Sequence, residues 1–330
     1  MKILKRVLLV ILTLVVVGGI AGFFYFKNKF TSAPPNTLAI SNTGKTFPFK
    51  WLEGQINGKL EPHAAIMVPV RIPGVDQTFY MQFDMGAHST VLYYNSVLSI
   101  NEKYGEVFKL DTIEGKLKVI DAALTVGTVD VKSSAIGFRA MGNKIDWSDT
   151  AAIIKIGTVG SDFIEKHTLI LDYKNQQITL ANKVPEHLVA ESDYLPFTFD
   201  GRKIFLTASL NSKPVSLWFD SGSSTFELIV EEKTFRQLAK PGAQKETFTM
   251  NSWGDKVTCH NIASSGTFTF GQTSIPLNFV TYIDWPNKLQ ALMLKGTSIG
   301  GKRSGMTGNK LFVDKVLVLD TPNLRYAVLE

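Results

Sequence analysis

Phe83-Asp84-Met85-Gly86-Ala87-His88-Ser89-Thr90 and Phe219-Asp220-Ser221-Gly222-Ser223-Ser224-Thr225 are two versions of one short segment. Each follows a pair of alternating apolar runs. Residues 66–72 (IMVPVRI) lead through Pro73-Gly74 into 78–83 (TFYMQF). Residues 204–210 (IFLTASL) lead through Asn211-Ser212-Lys213-Pro214 into 215–219 (VSLWF). Period-two alternation bounded by Gly, Pro, Asn and Ser predicts a strand, a turn and a second strand in both places. Each second strand then ends at Phe-Asp-x-Gly, where glycine permits a tight turn.

The halves also close alike. Val159-Gly160-Ser161-Asp162-Phe163-Ile164 precedes a strand-like run ending at Asp172, and Thr307-Gly308-Asn309-Lys310-Leu311-Phe312 precedes one ending at Asp320. Gly160 to Asp172 is 12 residues, and so is Gly308 to Asp320. The two Phe-Asp-x-Gly aspartates are 136 residues apart and the closing glycines 148, so the second copy carries about 12 extra residues between motif and close. Two motifs repeated in the same order mark an internal duplication. The expected organisation is two β-rich units, 47–184 and 195–330, joined through 185–196. Short helices are expected at 161–166, at 231–239 and after Gly308.

The two loops resemble the active-site loops of pepsin-like and retropepsin-like aspartic proteases, and the closing segments resemble the strand that passes behind each loop in that family. The resemblance runs from about residue 47 to the end of the chain. It implies an all-β fold of two pseudo-twofold-related β-barrel-like lobes with a peptide cleft between them. Asp84 and Asp220 are then the catalytic pair, supported by Gly86, Ser89 and Thr90 on one loop and by Ser221, Gly222, Ser223 and Ser224 on the other. Two carboxylates a few ångströms apart do not both ionise, so such a pair holds one proton. The ionised partner takes a proton from a shared water and the protonated partner donates to the peptide carbonyl. That chemistry needs no metal and no other cofactor.

Three features depart from the family's pattern. Met85 stands where a Thr or Ser is usual, so only Ser221 offers a hydroxyl to cross-brace the loops. Residues 110–131, corresponding to the flap hairpin, contain no Tyr or Trp. Cys259 is the single cysteine, which excludes an intrachain disulfide and fits a bacterial-type relative. His88, within the first loop, reads as a solvent-facing side chain.

Residues 7–26 (VLLVILTLVVVGGIAGFFYF) carry no charge. As a helix they would cover about 30 Å, the thickness of a bilayer's hydrocarbon core. Lys2, Lys5 and Arg6 precede them and the run ends in aromatics, so the expectation is a single-pass transmembrane anchor within 1–30, a linker at 31–46 and a body on the extracytoplasmic side. Of the net charge of +6, five charges sit in residues 1–29, which leaves +1 for the rest. A near-neutral body argues against nucleic-acid binding.

Gly296-Thr297-Ser298-Ile299-Gly300 has the spacing of a nucleophile elbow and Gly296 to Lys302 nearly that of a phosphate loop, but Gly301-Lys302-Arg303-Ser304-Gly305 starts no helix after either. A Gly-rich rim loop is the expectation there. The histidines are scattered, without metal-ligand spacing. Cys259 and His260 are neighbours on a predicted strand and should face opposite ways. Taken together, the sequence points to a membrane-anchored aspartic endopeptidase acting on polypeptides. The alternative is a catalytically weak or inactive relative that binds peptides in the same cleft.

Overall fold

Alternating apolar residues drive the two strands that carry each Phe-Asp-x-Gly. Phe79, Met81 and Phe83 are buried on one face, as are Leu217 and Phe219 in the second copy. In the computed structural model, which describes residues 33–252, 255–285 and 304–330, both copies build the same architecture. Residues 1–32 and 286–303, with the expected anchor and rim loop, lie outside the described residues.

In chain order the first half contributes β1 (Leu38–Ser41), β2 (Thr46–Pro48), β3 (Lys50–Ile56), β4 (Lys59–Arg71), β5 (Phe79–Phe83), β6 (Val91–Tyr93), α1 (Tyr94–Tyr104), β7 (Lys109–Ile113), β8 (Lys116–Val126), β9 (Val129–Arg139), β10 (Lys155–Val159), β11 (Thr168–Asp172) and β12 (Gln177–Ala181). The second half contributes β13 (Leu195–Asp200), β14 (Lys203–Leu210), β15 (Lys213–Phe219), β16 (Ile229–Val230), α2 (Glu232–Leu238), β17 (Glu246–Ser252), β18 (Asp255–Phe270), β19 (Thr273–Asp284), β20 (Gly305–Thr307), β21 (Val316–Asp320) and β22 (Arg325–Leu329). Short 3-10 turns follow Gly160 and Gly308, as expected from sequence.

Each half closes a ring of six hydrogen-bonded strands. In the first, the order is β9-β6-β10-β5-β4-β8 and back to β9; in the second it is β18-β19-β16-β20-β15-β14 and back to β18. Closure removes the unpaired edges that an open sheet would leave. The two-barrel expectation is met at this level.

A further set of strands, β2-β12-β11-β21-β22-β13, runs antiparallel through both halves. Its central pair is β11 with β21, in register Ile170↔Val318. Those residues are 148 apart, the same offset as Gly160 and Gly308. Equivalent strands therefore pair antiparallel about this central residue pair, which places a pseudo-twofold axis through the middle of this sheet. Val318 and Ala327 are fully buried beside Ile170, so one face of the sheet is an apolar seam.

Two expectations need correction. Residues 38–41 and Thr46 are not linker: β1 pairs with β9, and Thr46 begins β2, which pairs with β12. Ile40 and Leu38 pack on the core and Phe47 is buried, an apolar pattern too short to register as strand among Ser, Thr and Asn. The helix α1 was not expected either. Its Asn and Ser are weak helix formers, and its first residue receives no side-chain cap. It forms because Ser96, Val97, Ser99 and Ile100, spaced three and four apart, bury one face.

Candidate active site

Parallel neighbours set both loops. β10 runs beside β5 with Val159 opposite Phe83, and β20 runs beside β15 with Thr307 opposite Phe219. The backbone N–H of Asp84 donates to the Val159 carbonyl at 3.0 Å, and that of Asp220 to the Thr307 carbonyl at 2.9 Å. Each aspartate thus leaves its strand at an equivalent point, and each is nearly buried, 5% exposed for Asp84 and 8% for Asp220.

Each carboxyl group lies against the opposite loop. Glycine makes the approach possible. A Cβ on Gly86 would stand 2.2 Å from Oδ1 of Asp220, and one on Gly222 would stand 2.5 Å from Cγ of Asp84. Each loop's glycine therefore provides the space that the opposite loop's carboxylate fills. Neither glycine has positive φ, so close approach, and not turn geometry alone, is what requires glycine here.

The two carboxylates are not held alike. Oδ1 of Asp84 accepts from the N–H groups of Gly86 at 2.9 Å and Ala87 at 3.2 Å. Oδ1 of Asp220 accepts from the N–H of Gly222 at 2.9 Å, and its Oδ2 accepts from the Ser223 hydroxyl at 3.1 Å. Ala87 occupies the place of Ser223 and has no hydroxyl to offer. Burial, then the charge and hydrogen bond of Asp220, hold the Asp84 carboxyl well above the usual carboxylate range. Burial also raises Asp220, but the bonds it accepts from Asp84, Ser223 and Gly222 pull back against that rise. Burial thus raises both carboxyls, and the pair titrates as a unit.

The cross-brace is one-sided, as Met85 implied. The Ser221 hydroxyl accepts from the Met85 N–H at 2.8 Å and donates to the Phe83 carbonyl at 2.9 Å. Met85 has no hydroxyl to return the exchange, and its side chain is fully buried in the core.

Of the other loop residues named from sequence, Thr90 and Ser224 stand behind the carboxylates. Thr90 bonds through N–H and Oγ1 to the buried Asp162 at 2.8 and 2.7 Å. Ser224 donates to the His63 carbonyl at 2.7 Å and accepts from Asn309 at 3.0 Å. Ser89 turns away, to Nδ1 of His88 at 2.9 Å. His88 is exposed, and partial desolvation, then Arg202, Arg139 and Lys203, push its pKa down.

Sequence reasoning passed over Arg202, Asp162 and Asn309. Arg202, buried at 5% exposure, crosses from the second half to pair with Glu165 at 3.1 Å and to donate to the His88 carbonyl at 3.1 Å. Asp162 and Asn309 occupy near-equivalent places after the closing glycines, so the repeat itself was the available signal.

Asp84 and Asp220 open into a cleft of about 370 Å³. Gln82, Tyr93 and Thr158 line it from the first half, and no residue of 110–131 does, so the flap-equivalent stretch stays clear of it. The hairpin that does reach it is β17–β18 of the second half, through Met250, Asn251 and Val257. Among the described residues, no group of three His, Cys, Asp or Glu side chains is placed to hold a metal ion. Cys259 is buried with its thiol pushed up to about 12, and His260 faces the other way toward Thr247 and Asp284.

No family model matches the chain, and no curated protein matches it in sequence. Among solved structures it is similar to the aspartic proteinase from Irpex lacteus, with a TM-score of 0.45 and 13% identity over 88% of this chain and 97% of that one.

Proposed function

We propose that the chain is an aspartic endopeptidase that hydrolyses polypeptides at the Asp84/Asp220 pair. The observation that supports this is a pair of buried carboxyls, each seated in the space left by the other loop's glycine. In this reading a water bridges the pair. Ionised Asp220 accepts a proton from it as its oxygen bonds to the peptide carbonyl carbon, and Asp84 donates its proton to the carbonyl oxygen. The resulting gem-diol collapses as the C–N bond breaks. Asp220 returns a proton to the leaving nitrogen and Asp84 regains one from the diol, which restores the starting state. The basic start of the chain and the apolar run at 7–26 support a membrane-anchored enzyme with its body on the extracytoplasmic side.

The test is cleavage of an unfolded protein substrate by the full-length chain in detergent, from pH 3 to 8, with Asp84→Asn and Asp220→Asn as controls. Cleavage abolished in both variants supports the dyad. A second reading, a peptide-binding module without turnover, is favoured by Met85, which leaves one half of the brace unmade. Binding of peptides by a folded wild-type chain that cleaves nothing at any pH would select that reading.

A further inference from the structure

The walls of the cleft differ in chemistry. Phe226, Ile229, Met250, Val257, Ile283 and Trp285 line it from the second half. They belong to one apolar cluster, in which Met250 and Trp285 are only partly covered. This cluster is separate from the main core and ends at the cleft surface. Partly covered Met and Trp side chains offer adaptable contact to a large apolar group.

The first-half wall is mainly polar. Gln82, Thr158 and Tyr93 line it, with Thr158 and Tyr93 bonded to each other at 2.9 Å. Arg139 ends β9 directly beside Tyr93, its register partner on β6. It is exposed and lines the cleft, the one Lys or Arg to do so among the described residues. The only acids lining the cleft among those residues are the dyad itself.

We propose that this cleft selects peptides by two unlike side chains flanking the bond at the dyad: a large apolar one, received by the second-half wall, and an acidic one, received by Arg139. The proposal rests on the dyad's being the place where the peptide bond sits. An extended peptide sends successive side chains to opposite faces, so residues adjacent across that bond reach opposite walls. A volume near 370 Å³ lies at the lower end for ligand pockets and suits the side chains around one bond. A guanidinium presents a fork that matches a carboxylate, which a neutral side chain cannot use.

The experiment is cleavage-site profiling of the full-length chain in detergent against a mixed synthetic peptide library. Binding of the same peptides to the wild-type chain is read in parallel by fluorescence polarisation. The expected result is Asp or Glu favoured over Lys or Arg by about tenfold on one side of the cut, and Leu, Phe or Met favoured over Gly or Ser on the other. Arg139→Glu should invert the charge preference and keep the apolar one, while Arg139→Lys should retain both. Cleavage without charge preference, or a preference unmoved by Arg139→Glu, overturns the proposal and leaves the endopeptidase reading standing. Charge-selective binding without cleavage does the reverse. Neither binding nor cleavage overturns both.

Discussion

Ser221 alone holds two main-chain groups of the opposite loop, the Met85 N–H and the Phe83 carbonyl. Removing its hydroxyl leaves a buried donor and a buried acceptor without that partner. At about 1–3 kcal/mol for each stranded group, Ser221→Ala should cost about 2–6 kcal/mol in urea unfolding, with a fall in kcat larger than the change in KM. A loss under about 0.5 kcal/mol would mean that the brace carries no load. The Asp84 carboxyl makes a second prediction. Its folded-state pKa is raised, so its favourable contribution is present below the unfolded value near 4 and is lost as pH rises toward the folded value. Asp84→Asn removes that loss. The variant's melting temperature relative to wild type should therefore rise between pH 4 and pH 8, and a constant difference would contradict a raised Asp84 carboxyl. At this scale the sequence was informative wherever chemistry repeats: Asp84, Asp220, both glycines and the Met85 asymmetry were all readable. Arg202 was not, because a lone arginine beside Gly201 gives no hint that it will be buried against a loop 114 residues away.

Among the elements, the β17–β18 hairpin joins the cleft to the surface. Its inner face carries Met250 and Val257; its outer face carries a chain in which Thr247 meets Nδ1 of His260 at 2.9 Å and Nε2 of His260 meets Asp284 at 2.8 Å. The Tyr282 phenol, then His260, hold Asp284 below the usual carboxylate range. Lys59, near the turn between β3 and β4, pairs with Glu246 at the start of the hairpin at 2.9 Å. Both partners are well exposed, and exposed pairs contribute about 0–1 kcal/mol, so these contacts orient the hairpin more than they stabilise the fold. His260→Phe should accordingly raise KM for peptide substrates severalfold while shifting global stability by under about 1 kcal/mol. An unchanged KM would separate the outer face from the cleft. The strands of this hairpin follow from alternation, but its reach does not. Residues 110–131 and 246–270 follow matching motifs, and only the three-dimensional path shows that the second copy, not the first, lines the cleft.

At the scale of the whole molecule, neither half is complete without the other. β2, β11 and β12 of the first half are built into the same sheet as β13, β21 and β22 of the second. The described body, Asn36–Glu330, is one compact unit. A charge at its centre should act on both halves together. Val318→Asp, at a fully buried position with no partner at hand, should cost more than about 4 kcal/mol and lower a single unfolding transition; two separated transitions by calorimetry would refute the coupling. The duplication and the 148-residue offset were visible in the sequence, yet the pairing of equivalent strands was not. Two runs of the type Leu-Ile-Leu and Leu-Val-Leu state their burial without stating their neighbour.

Because Ile170 pairs with its own counterpart, the seam between β11 and β21 is isologous within one chain. A surface that fits its repeat-equivalent also fits a second copy of itself. A fragment ending after the first half would leave β11 paired with β12 but expose its other edge, where β21 was, as a row of unpaired main-chain groups of Thr, Leu and Ile. Limited proteolysis in the connection near residue 185 therefore has a cost beyond lost activity, since it would release an adhesive strand whose natural partner is another molecule of the same fragment.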